Sequence, residues 1–151
     1  MLPVLLYGAE TWSLTAALEK KLDAFHQWCL RRLFSTFLYL RHVTNVEVLH
    51  LTCQTQLSTT LRDRRLRFFG HIARADSRMD HTRVLRSIIS ELPRDWKRPP
   101  GRPRRTWLRT IEHDLRPLNI GLVSAWQRAQ DRERWKRTVE TATLQDGACS
   151  L

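Results

Sequence analysis

Leu57 to Asp76 read LSTTLRDRRLRFFGHIARAD, and the spacing within this stretch decides the fold class. Wound at about 100° per residue, it places Leu61, Leu66, Phe68, Phe69, Ile72 and Ala73 on one broad apolar arc, with Arg64, Arg67, His71 and Arg74 on the opposite side. That period predicts a helix opening near Ser58; a strand would need strict alternation. Arg65 breaks the pattern by landing inside the arc, between Phe68 and Phe69 on one side and Leu61 on the other. Two readings of it are open: its stem snorkels toward water, or its guanidinium is buried and paired to an acid.

Upstream, Leu18, Leu22, Phe25, Cys29 and Leu33 recur at spacings of four, three, four and four. They predict the apolar face of a helix capped near Thr15, with Trp28 on its flank. Thr44 and Glu47 have capping-box spacing and predict a short helix carrying Val46 and Leu49 and ending near Thr52. Downstream, a weak helical pattern from Thr82 to Ile89 gives way to a segment containing Pro93, Pro99 and Pro100, the one clear linker. Pro103 then stands where a first helical residue belongs, and Trp107, Leu108, Ile111 and Leu115 continue at helical spacing until Pro117. A last helix after Asn119–Gly121 carries Trp126, Ala129, Trp135 and Val139. Without strand alternation or internal repeat, the expected fold is all-α, an irregular array of about five to six helices with a Pro/Arg-rich linker.

The charge is as uneven as the periodicity is regular. The 151 residues carry 26 Lys and Arg against 15 Asp and Glu, a formal net charge of +11, and Arg supplies 22 of the 26 cations. Residues 61–109 hold fifteen cations against five acids, so +10 of the excess sits in the middle third. Such a balance suits a polyanion, and the planar arginine fork suits phosphate and guanine edges. The partner expected is nucleic acid, with no membrane role; the apolar run Leu2–Tyr7 is too short to span a bilayer and lacks the features of a signal peptide. Cys29, Cys53 and Cys149 are odd in number and far apart, so no disulfide framework is expected and the compartment is read as intracellular, nucleus or cytoplasm.

Catalytic chemistry is not indicated. Two-metal phosphoryl transfer needs clustered carboxylates, whereas here the acids are scattered, and the close pair Asp131 and Glu133 lies among Arg128, Arg132 and Arg134 and reads as an ion-pair lattice on a helix surface. The histidines occur singly, and His26 with Cys29 finds no second ligand pair. No catalytic residue, metal site or cofactor is expected, and the isolated chain is not expected to be an enzyme.

Six blocks in order, LLYGAETWSLT (Leu5–Thr15), CLRRLF (Cys29–Phe34), VTNVEVL (Val43–Leu49), RLRFFGHIARAD (Arg65–Asp76), GRPRRTW (Gly101–Trp107) and QDRERW (Gln130–Trp135), resemble the C-terminal end of the reverse transcriptase of non-LTR (LINE-type) retrotransposons. The resemblance implies thumb helices and a basic post-thumb segment that contact template and primer: RNA, DNA or hybrid. It implies that the polymerase palm with its catalytic aspartates, a further expected partner, and the endonuclease lie upstream of Met1. Joined to the residue pattern, it gives the organisation expected here: a thumb-like helical lobe over 1–76, then, from the prolines, charges and helical spacing, a basic Pro-rich linker over 77–102, a helical hairpin over 103–143 and a frayed tail over 144–151. Some relatives end in a Cys/His zinc motif, which this sequence lacks.

The stretch Lys97–Trp107, KRPPGRPRRTW, is similar to an AT-hook, although Pro100 replaces the arginine that normally precedes the glycine. It also reads as a stiff hinge whose arginines stand beside a helix start. The nucleic-acid-binding residues expected are Arg62, Arg64, Arg67, Arg74, Lys97, Arg98, Arg102, Arg104, Arg105 and Arg109. Three functions fit: the nucleic-acid-binding fragment of a retrotransposon reverse transcriptase, a freestanding AT-hook-like DNA binder, or a decayed element remnant without activity. The remnant predicts partly exposed Trp12, Trp28 and Phe34.

Overall fold

The computed structural model describes residues 2–34, 43–90, 95, 97, 100–101 and 106–144. Among them are eight α-helices and two short 3-10 turns, with no strand. The helices are α1 (Leu2–Leu5), α2 (Ala16–Leu33), α3 (Asn45–Leu51), α4 (Leu57–Ala73), α5 (Asp80–Ile89), α6 (Trp107–Leu115), α7 (Leu122–Ala129) and α8 (Arg132–Leu144). The all-α expectation holds, but five to six helices was too few. One addition is the single turn of α1. The other arises because the last expected helix is two: Asp131 Oδ1 accepts from the backbone N of Glu133 at 3.0 Å and of Arg134 at 3.1 Å, capping a new helix just after α7 ends.

The fold is organised around α4, which packs against α2, the 3-10 turn Ala9–Thr11, and α5 to α8. Leu57, Leu61, Leu66 and Phe69 on its apolar arc are all but fully buried. Leu57 and Leu61 join Leu6 and Ala9 in one cluster, while Leu66 and Phe69 join Ile111, Leu115, Ala125, Ala129, Trp135 and Val139 in another. Phe69 is the aromatic hub, with ring centroids 5.6 Å from Trp135, 5.9 Å from Trp126 and 6.3 Å from Trp107. The indole N–H groups are used as well as the rings. Trp135 Nε1 donates to Leu66 O at 2.9 Å, and Trp107 Nε1 donates to Glu10 O at 2.8 Å, tying α6 to the N-terminal turn.

Local start signals act much as read. Thr15 Oγ1 accepts from Leu18 N at 3.3 Å, and Thr44 and Glu47 close a full capping box with Thr44 N donating to Glu47 Oε2 at 2.7 Å. These hydrogen bonds hold the Glu47 carboxyl below its usual range. The expected helix start at Pro103 lies outside the described residues; α6 begins at Trp107, with Thr106 Oγ1 accepting from Arg109 N at 3.3 Å. Two packing expectations are corrected. On α2 the buried residues are His26 and Leu30, while Leu18, Phe25 and Leu33 of the expected stripe are exposed, because the helix meets α4 through its Glu19 and Asp23 side. On α3, Val48 is buried and Val46 is exposed. Among the described residues no helix is long and apolar enough to cross a membrane.

Candidate nucleic-acid interface

Acids decide which cations reach the surface uncompensated, and several acids here are engaged by the protein's own groups. Asp114 is 2% exposed and holds Arg65 in a two-point grip, accepting from Nε at 2.9 Å and from Nη2 at 3.1 Å. Glu19 Oε1 accepts from the same Nη2 at 3.1 Å. Arg65 is thus a buried, paired guanidinium joining α2, α4 and α6, and it does not snorkel. Burial pushes the Asp114 carboxyl up, opposed by the charge and hydrogen bonds of Arg65 and by Arg62. Asp23 accepts from Ser58 N at 2.8 Å and Asp76 from Arg78 N at 3.0 Å, so both serve the protein's own backbone. Asp131 caps α8 as described, and Glu47 caps α3. Among the described residues no group of three or more His, Cys, Asp or Glu stands together as metal ligands would.

The expected binding residues fall into distinct settings. Arg62 is half-buried, 3.7 Å from Asp114 Oδ1, with Nη1 donating to Ala142 O at 3.4 Å. Arg67 is exposed but forms an i, i+4 pair with Asp63, its Nε 2.7 Å from Oδ2. Arg64 and Arg74 are exposed and meet carbonyls instead of acids, donating to Leu6 O and to Ala129 O, each at 2.9 Å. Desolvation draws the Arg74 guanidinium below the usual arginine range, and neighbouring Arg132 adds to the shift. Lys97 and Arg109 are exposed. Arg98, Arg102, Arg104 and Arg105, and with them the hook-like core, lie outside the described residues. Of the six described, Arg62 and Arg67 meet acids and Arg64 and Arg74 meet carbonyls.

A second basic region was not among the expected residues. Arg128, Arg134 and Arg137 line an open groove of about 430 Å³ with Leu118, Ile120, Asp131, Thr138 and Thr141. The ion-pair lattice expected of Asp131 and Glu133 with Arg128, Arg132 and Arg134 does not form among the described residues; Asp131 turns to the backbone as the α8 cap. The signal that could have found this groove is Asp131 itself: an acid at N-cap position is spent on backbone N–H groups and leaves adjacent arginines free for anions.

Comparison with known proteins gives one informative likeness. The chain is 26% identical over 151 residues to an uncharacterized transposon-derived protein of Caenorhabditis elegans, an alignment covering 95% of this chain and 52% of that protein. The chain thus spans about half the length of that curated relative. No family model matches, and no solved structure matches.

Proposed function

We propose that this chain is the nucleic-acid-binding part of a transposon-derived protein, equivalent to the thumb and post-thumb region of a retrotransposon reverse transcriptase and without its catalytic palm. The observation that carries the reading is the engagement of acids within the protein. Glu19, Asp23, Glu47, Asp114 and Asp131 engage Arg65 or backbone N–H groups, and among the described residues Arg67 and Arg83 are the exposed arginines that meet an acid, so most of the cationic surface of a +11 chain is left to an external polyanion. The transposon-derived relative supports the origin, and the six sequence blocks support the finer assignment. Template and primer are held by phosphate contacts, which fix position without reading sequence. The palm is the second partner, supplied by another part of the parent protein.

The test is titration of the full chain with labelled oligonucleotides across a range of salt. Engagement of about six phosphates gives a slope of log K against log salt near −5 for duplex, through counterion release. A slope near zero refutes the reading. The remnant alternative has one observation in its favour, since Trp28 is 57% and Phe34 48% exposed. It requires loosely packed helices, and a single sharp thermal transition eliminates it.

A further inference from the structure

Lys21, Phe25, Trp28 and Arg32 follow one another on α2 at spacings of four, three and four, and all are exposed. At about 100° per residue they fall within about 60° of arc, with Phe25 at the border of the apolar groove that it lines with Leu5, His26 and Leu30. The Phe25 and Trp28 rings are stacked, with centroids 6.1 Å apart and planes 24° from parallel. The Arg32 guanidinium lies over the Trp28 ring, 5.8 Å from its centroid. With Phe25 47% and Trp28 57% exposed, the pair offers water a large aromatic surface that no described element covers. The acids of this helix point elsewhere, Glu19 to Arg65 and Asp23 to Ser58 N, so the stripe reads cation, aromatic, aromatic, cation without an acid in it.

We propose that this stripe is a stacking platform for an unpaired nucleic-acid strand. Its span from Lys21 to Arg32 is about 16 Å at 1.5 Å rise per residue, long enough for a few nucleotides. Nucleobases of an open strand lie against the Phe25–Trp28 surface, and Lys21 and Arg32 at its ends hold flanking phosphates. The interleaving of aromatic and cationic side chains is what the two faces of an open strand require: every base has a π-face whatever its sequence, and every linkage has a charge. A duplex keeps its bases stacked internally and cannot use the platform. This inference rests on the nucleic-acid-binding reading above and deepens it by naming the strand state, DNA or RNA, that α2 receives.

The experiment compares the full chain with its Trp28→Ala and Trp28→Phe variants by fluorescence anisotropy, using a short labelled oligodeoxythymidine, an oligouridine of equal length and a blunt duplex. Trp28→Ala weakens binding to one or both single strands by about tenfold or more, leaves duplex affinity within about twofold, and keeps the salt slope, because no phosphate contact is lost. Trp28→Phe recovers most of the single-strand affinity, and the relative loss on thymidine and uridine strands tells DNA from RNA. Because Trp28 is exposed, the thermal melts of the three proteins coincide. Single-strand affinity unchanged in Trp28→Ala, with binding still salt-dependent, overturns the platform while leaving the nucleic-acid reading in place; a face that receives a protein segment gives this result. Equal losses on single strand and duplex also overturn it. Absence of binding by the unmodified chain to all three probes removes both proposals.

Discussion

Arg65 shows how one side chain can define a junction. Its guanidinium is 1% exposed where α2, α4 and α6 meet, and its tolerance there depends on two carboxylates, Asp114 and Glu19. Taking a charge out of water costs several kcal/mol unless hydrogen bonds and a counter-charge return it. Arg65→Ala leaves Asp114 buried without its fork and should destabilise the fold by about 3–5 kcal/mol in urea titration. Arg65→Lys should rescue little of this, since a single ammonium cannot reproduce the two-point grip. The double change Arg65→Met with Asp114→Leu should recover most of the loss, because apolar replacement of a buried pair is often neutral. If Arg65→Ala alone proves silent, the cluster does not organise the junction. Sequence places Arg65 on the apolar arc, but its partners are 49 and 46 residues away, beyond the reach of any local spacing rule.

Among elements, the contact between α4 and α8 is the most exacting. Gly70 lies in the interior of α4, where alanine would normally be preferred by about 0.5–1 kcal/mol. A Cβ at Gly70 would overlap the Trp135 indole, which is 2% exposed and anchored to Leu66 O. Packing should therefore outweigh propensity: Gly70→Ala is expected to lower stability by about 1–3 kcal/mol, read from the thermal or urea midpoint. An unchanged or raised midpoint would mean that α8 shifts without cost. The same contrast explains what sequence conveys about the elements. Period and caps are local, so the all-α class, the Thr44–Glu47 box and the apolar arc of α4 were legible. Which side of α2 is buried was not, because that depends on Asp23 and Glu19 reaching α4 from the less apolar flank. The break between α7 and α8 had a local signal: at about 100° per residue Trp135 falls about 180° from Trp126, a loss of phase at which Asp131 caps the new helix.

At the scale of the whole molecule, the net charge was legible while its division into tethered and available cations was not. Arg64, Arg67 and Arg74 share the polar side of α4, yet each also bonds within the protein, to Leu6 O, Asp63 and Ala129 O. Arg128, Arg134 and Arg137 came from a stretch whose charges cancel on paper and whose acid, Asp131, is spent on a helix cap. Under the proposed function two basic regions are candidates for phosphate contact: this groove and the segment bearing Arg102, Arg104 and Arg105. Counterion release separates them, because each lost phosphate contact removes about 0.9 from the slope on duplex. Changing Arg128, Arg134 and Arg137 together to Gln should reduce its magnitude by about two to three if the groove holds the strand. The matching triple at Arg102, Arg104 and Arg105 should do the same if that segment grips phosphate, and should leave the slope unchanged if it acts only as a hinge. Arg67→Gln is the internal control: its guanidinium is already paired with Asp63, so its removal should change the slope by well under one contact. Should both triples leave the slope at its original value, the phosphates are held by neither region.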